Sequence, residues 1–252
     1  MLSKAKIKYI RSLELKKFRN ECNAFVAEGN KLVADMLPAF TCDLLLAKSS
    51  WMATQGDIPT KELLVAEEED IRKASFLKNP QDVLAVFQRP TWSLEEVNPT
   101  NSLILALDGI QDPGNLGTII RLADWFGIEH LVCSLDTVDV FSPKVVQATM
   151  GALARVRVHY IDIREWLKEK RDTGVPLYGT LLEGGNMYTD GAIADKNQGV
   201  IIMGNEGNGI SPAIRELITH PIRIPSYPEH AETSESLNVG IATAIVLAEF
   251  RR

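Results

Sequence analysis

Three short segments carry side chains of the kinds that hold ligands or move protons, and all lie beyond residue 100. The first runs from Asp108 to Asn115, a turn rich in Gly, Pro and Asn that leads into an apolar-periodic stretch. On a helix, Arg121 falls about 140° round from Leu116, off the stripe of Leu116, Ile119, Ile120 and Ala123. A cation so placed faces solvent, a phosphate or another subunit. The second segment is Gly204–Gly209, where three glycines alternate with Asn205, Glu206 and Asn208. Glycines let a ligand approach the main chain closely. A carboxylate amid them disfavours phosphate and suits a cationic or hydroxyl-bearing ligand, although a tight turn with a solvated Glu fits the same residues. The third segment places Ser236 and Asn238 at the start of a long apolar run, where Ser236 fits a plain helix cap. Neither GxGxxG nor GK[ST] occurs in these loops, so the dinucleotide and P-loop fingerprints are absent.

The elements that must position these groups alternate. Residues 102–110 read as a buried strand, 114–127 as a helix, 130–134 as a strand and 143–153 as a helix. Strands follow at 155–160, 176–182 and 199–204, with helices at 163–172 and 212–218. A short strand at 222–226 precedes the closing helix. Such alternation predicts a mostly parallel sheet covered on both faces. Ahead of it, residues 23–29, 41–49 and 82–88 read as strands, with helices at 31–40 and 67–77 between them. A proline-bearing, aperiodic stretch from Phe87 to Leu103 reads as a linker. The expected division is therefore a small α/β domain over 1–98 and a larger α/β domain over 99–252.

Composition narrows the class. With 252 residues, 45% apolar and 24% charged, the chain is an ordinary globular one. No apolar run reaches the ~18 residues of a membrane span, and the basic start lacks the apolar region of a secretory signal. Three scattered cysteines and four histidines, none spaced i,i+4, predict neither a disulfide framework nor a metal site. A soluble cytoplasmic protein is expected, with no membrane or metal partner. The net charge is −6, yet through Asn98 fourteen bases balance fourteen acids, and the first twenty residues hold seven bases against Glu14 alone. That stretch, with Lys16, Lys17 and Arg19, suits RNA phosphates, as does Lys31 further on. It equally suits a solvated amphipathic helix whose Ile7, Ile10, Leu13 and Phe18 face a core.

The order Asn115-x-Gly-x-x-x-Arg121, then Gly204-x-Glu206-Gly-x-Gly, then Ile224-Pro225 followed by Glu235-Ser236-Leu237-Asn238-Val239 resembles the three motifs of the SpoU (TrmH-like) family. Its members are S-adenosylmethionine-dependent RNA 2′-O-ribose methyltransferases of the SPOUT class. The resemblance covers residues 102–250. The leading stretch around 17–33 is similar to the L30e-like domain that often precedes the catalytic one. In one place the sequence departs from the pattern: the loop between Pro225 and Glu235 is several residues longer than usual.

The resemblance implies an α/β-knot domain with a deep trefoil knot, a homodimer whose active site is completed by the other subunit, and S-adenosyl-L-methionine as cofactor. Gly204, Asn205, Gly207, Ile224, Pro225 and Leu237 would hold that cofactor, largely through the main chain. Arg121 would activate the 2′-hydroxyl, with Glu206 as base or as orienter of the arginine. Because a guanidinium stays protonated in water, stabilising a developing alkoxide is easier for Arg121 than removing a proton. Asn115, Ser236 and Asn238 would position the phosphate, the arginine and the loops. The RNA would be ribosomal or transfer RNA, with the domain layout favouring ribosomal RNA and guanosine as the nucleotide. Two other classes compete: a non-catalytic RNA-binding protein on this fold, and a nicotinamide-dependent Rossmann oxidoreductase. The retained Asn, Arg, Glu and Ser-x-Asn set disfavours the first, and the missing glycine fingerprint disfavours the second. A chain starting near residue 98 is expected to keep cofactor binding and lose RNA affinity.

Overall fold

The computed structural model describes residues 2–189, 191–228 and 236–252. The chain opens with two short helices, α1 (Lys4–Ser12) and α2 (Lys16–Cys22), followed by β1 (Ala24–Glu28) and α3 (Asn30–Met36). Next come β2 (Cys42–Ala47), α4 (Ser49–Met52), β3 (Leu63–Val65), α5 (Glu68–Ala74) and β4 (Val83–Gln88). These four strands form one sheet in the order β1-β4-β2-β3. Ser3 caps α1 by accepting the amide of Lys6, and the helix turns Ile10 and Leu13 fully inward. They join Val26, Leu46, Ile71, Leu84 and Val86 in a core. Ile7 and Phe18 are only half-buried.

Beyond Thr91 the chain builds β5 (Leu103–Asp108), α6 (Pro113–Trp125) and β6 (His130–Ser134), then α7 (Pro143–Ala148) and β7 (Arg157–Ile161). The remaining elements are α8 (Ile163–Asp172), β8 (Leu177–Asn186), β9 (Gly199–Gly204), α9 (Pro212–Arg215), β10 (His220–Arg223) and α10 (Val239–Phe250). Six strands form a second sheet in the order β10-β8-β9-β5-β6-β7, every neighbouring pair parallel. β5, β6 and β9 are buried along their whole length, as a sheet covered on both faces requires. Ile104, Ala106, Val132, Leu167, Leu177, Val200 and Ile202 centre one core. Among the described residues no helix is long and apolar enough to cross a membrane.

The chain divides into two compact units: Met1–Thr91 with Asp139–Arg155, and Trp92–Val138 with Val156–Arg252. The first division falls at Thr91, somewhat before the linker residue 98. A single cut could not describe the rest, because Asp139–Arg155 returns to the first unit. There α7 packs against β1, and the Phe141 ring lies 5.0 Å from that of Phe25. Asp139 accepts from Nε and Nη2 of Arg19 at 3.0 and 2.6 Å. The helix predicted over 143–153 stops at Ala148, because Met150 and Gly151 both adopt positive φ. A side chain at Gly151 would sit 2.6 Å from the Asp35 carboxylate, so the turn admits glycine alone without rearrangement.

Candidate active site

At the C-terminal ends of β5 and β9 two loops meet, and the residues that join them are those the sequence singled out. Asp112 caps α6 by accepting the amide of Asn115 at 2.8 Å, with Pro113 in the first turn. This fixes Asn115 at the helix start. Its Nδ2 donates to Glu206 at 3.0 Å, and its Oδ1 accepts from Asn238 Nδ2 at 2.9 Å. Three segments far apart in sequence are thus joined by two hydrogen bonds. Glu206 also accepts the amides of Gln111 and Asp112 at 3.4 and 3.3 Å, which sets its carboxylate against the start of α6, where the helix field favours a negative charge.

The helix cap of α10 is Asn238, not Ser236. Asn238 Oδ1 accepts the amides of Gly240 and Ile241 at 2.9 and 3.3 Å, which satisfies the free N–H groups of the first turn. Ser236 is exposed two residues earlier. Gly240 lies against Thr118 of α6, and Arg251 at the far end donates to the carbonyls of Phe126 and Gly127. The two helices therefore run side by side in the same direction, and their N-termini converge on Asn115 and Asn238.

Arg121 lies on the outer side of α6. Leu116, Ile119, Ile120 and Ala123 are all fully buried, whereas Arg121 is exposed and holds no hydrogen bond or ion pair among the described residues. Glu206, expected as a base for the ribose or as the orienter of Arg121, turns to the 111–115 stretch instead. The residues expected to hold a cofactor group in two places. Gly204 admits no side chain, since a Cβ there would meet the main chain of Gly209 and Ile210 at 2.2 Å. Asn205 spends its side chain inside the loop: Oδ1 accepts the amides of Gly207 and Asn208, and Nδ2 donates to the Gly109 carbonyl at 2.7 Å. Its main-chain N–H and C=O are also paired, with Gly209, and Gly207 is exposed. Ile224 and Pro225 follow β10 half-buried, and Leu237 precedes α10 half-exposed. Most of the lengthened loop, residues 229–235, lies outside the described residues.

One expected RNA contact is corrected. Arg19 is 3% exposed, and besides Asp139 it donates to the carbonyls of Leu13 and Glu14. With four hydrogen bonds to its own unit and almost no exposed surface, it is a structural cation of the first unit. Lys16 is exposed, Lys17 is exposed beside Glu21, and Lys31 pairs with Asp35 at 2.9 Å. Sequence reasoning also passed over Asp108, Gln111 and Asp112. The Asp112-Pro113 pair was a readable helix-start signal, whereas the amide of Gln111 has no sequence signature. Cys133 on β6 is fully buried, and burial pushes its thiol up, so it supplies no thiolate nucleophile.

The likeness to known proteins follows the same stretch. Residues 102–248 match the SpoU rRNA Methylase family, and residues 4–85 match the MRM3-like substrate binding domain. Over 249 residues the chain is 31% identical to the 23S rRNA (guanosine(2553)-2'-O)-methyltransferase RlmP of Bacillus subtilis, spanning 98% of this chain and 96% of that protein. A Porphyromonas gingivalis structure described as of the TrmH RNA methyltransferase family superposes with a TM-score of 0.89 at 41% identity, covering 100% of this chain and 98% of that one. An AdoMet-bound rRNA methyltransferase from Sinorhizobium meliloti gives 0.83 at 32% identity, covering 100% and 95%. Every residue of the site from Asp108 to Asn238 falls inside the family match, and the full-length likeness carries it to both units: the chain belongs to the SpoU rRNA methylase family.

Proposed function

We propose that the chain transfers a methyl group from S-adenosylmethionine to a ribose 2′-oxygen of ribosomal RNA, with guanosine as the nucleotide. The observation that carries this reading is the Asn238–Asn115–Glu206 relay at the start of the helix that bears an uncommitted Arg121, in a chain of this family. The name of the full-length Bacillus subtilis relative supports guanosine.

The loops suit the cofactor. Gly204 lets the neck of the loop close tightly, Asn205 holds its shape, the exposed Gly207 leaves main chain without a side chain over it, and Ile224, Pro225 and Leu237 supply apolar surface. When bound, S-adenosylmethionine supplies an activated methyl on a sulfonium sulfur. The chain's own residues then have to place the acceptor hydroxyl and absorb the charge that develops on it. Arg121 does this with a planar fork of N–H donors, one part on the adjoining phosphate and one toward the 2′-oxygen, while the hydroxyl proton passes to solvent and the sulfonium leaves as a neutral thioether. Glu206, its oxygens taken up by three N–H donors, holds the start of α6 still. Asn115 and Asn238 tie that helix to α10, and Ser236 lies at the rim.

The further parts of the reading are a trefoil knot made by the C-terminal segment, a homodimer, and an L30e-like first domain that captures RNA through Lys16, Lys17 and Lys31. The exposed Trp125, one turn beyond Arg121 on α6, gives an apolar contact for a second copy. The protein would work in the cytoplasm, where ribosomal RNA is met.

Mixing two inactive variants tests both the chemistry and the shared site. Arg121→Ala and Gly207→Val should each lose methylation of ribosomal RNA. If Arg121 of one subunit serves the cofactor loop of the other, an equimolar mixture that has exchanged subunits regains about a quarter of wild-type turnover. Full activity of Arg121→Ala overturns the catalytic assignment, and no recovery on mixing overturns the shared site.

A further inference from the structure

Asp108 is the last residue of β5 and is paired in register with Gly204, the residue from which the candidate cofactor loop springs. Its side chain is 8% exposed, and Oδ2 accepts the amide of Ser211 at 2.7 Å. Ser211 is where the loop ends and α9 begins. The loop is therefore gripped at three points. Asn205 and Gly209 exchange main-chain hydrogen bonds at 2.9 and 3.0 Å and close its neck. Asn205 Nδ2 ties it to Gly109, whose own amide donates to the buried Ser134 Oγ at 2.8 Å. Asp108 holds the exit. A bond from an amide to a buried carboxylate is stronger than one between neutral groups, and its loss leaves an unpaired charge inside the protein.

We infer that Asp108 is a positioning residue for cofactor binding, acting through Ser211 on the conformation of Gly204–Gly209. This rests on the assignment of that loop to S-adenosylmethionine. Asp108 touches neither the 2′-hydroxyl nor the methyl in this scheme, so its loss should weaken the cofactor and leave RNA capture alone. The requirement is for an acceptor oxygen, which an amide also provides.

The test is calorimetric titration of the full-length protein with S-adenosylmethionine, alongside steady-state kinetics. Asp108→Ala should raise the cofactor Kd and KM on the order of 10- to 100-fold while changing the KM for RNA less than about two-fold. Asp108→Asn should recover most of the affinity. Ser211→Pro breaks the same contact from the other side: φ −62° suits proline, and its ring Cδ pushes away the Asp108 carboxylate that the amide held, so whichever of the two variants folds carries the test. It should reproduce the loss, and Asp108→Asn should not relieve it. Gly207→Val separates the two assumptions, since a Cβ at that position meets only Asn205 Oδ1, at 3.5 Å. Unchanged cofactor affinity in Gly207→Val overturns the assignment of the loop. Weakened affinity in Gly207→Val with wild-type affinity in folded Asp108→Ala or Ser211→Pro overturns the role of Asp108. An Asp108→Asn variant as weak as Asp108→Ala also overturns it.

Discussion

Two arginines, one in each unit, have opposite surroundings. Arg19 is buried, bound to Asp139 and to two carbonyls, and has nothing left to offer a ligand. Arg121 is exposed, with its donors uncommitted among the described residues, on the same helix whose start is fixed through Asn115 by Glu206 and Asn238. Both stand in stretches that the sequence marks as functional. What separates them is saturation: a cation whose donors are filled by its own chain is part of the framework, and one kept open while its neighbours are tied down is available for chemistry.

The sharpest way to break that contrast is to remove each charge and measure both stability and turnover. Arg121→Ala should lower turnover about a thousand-fold while shifting unfolding by no more than ~0.5 kcal/mol. Asp139→Ala should do the reverse, lowering stability by roughly 3–5 kcal/mol in a denaturant titration because Arg19 is left buried without a partner. If Asp139→Ala unfolds at the wild-type midpoint, the ion pair is not a framework element.

A smaller effect separates structural from functional imidazoles. His130 Nδ1 and His159 Nε2 lie 3.1 Å apart within the second unit. Burial, with His130 beside it, lowers the His159 pKa to about 4. The neutral ring is the folded form, so its contribution is fully present above pH ~6.5 and is lost as the pH falls toward 4. The midpoint of denaturation should therefore drop between pH 6.5 and 4.5, by an amount on the order of 1–3 kcal/mol, and His159→Gln should flatten that slope. The smallest effect is expected at Lys17 and Lys31, whose exposed pairs with Glu21 and Asp35 contribute at most ~0.5 kcal/mol to stability. Lys17→Gln and Lys31→Gln should leave unfolding unchanged and, if these lysines meet RNA, reduce the salt dependence of binding. An unaltered salt slope removes them from the RNA surface.

Much of the second sheet was legible because parallel strands buried on both faces are continuous apolar runs, as in β5 and β9. The three-residue β3 was not, since Leu63 and Val65 are exposed and carry no burial signal. The site residues Asn115, Glu206 and Asn238 were legible through spacing and resemblance, but their mutual bonds were not, because register between distant loops leaves no local trace. Arg19 was misjudged for a related reason. A charged side chain is normally solvated, and nothing near it in sequence announces an aspartate 120 residues later. The same pairing corrects the expectation for a chain starting near residue 98. That chain would present Asp139 without Arg19 and Phe141 without Phe25, so it should lose stability along with RNA affinity.

The return of Asp139–Arg155 to the first unit also has a consequence for biosynthesis. All four strands of that unit's sheet have been made by Gln88, but the residues that pack on β1 are translated only later, up to Arg155. At ~5–20 residues per second, the nascent sheet would wait roughly 3–13 s with Phe25 lacking the ring that later lies against it. During that interval the half-built unit is a natural client for a holding chaperone, and codons that slow the ribosome between the two stretches would lengthen its exposure.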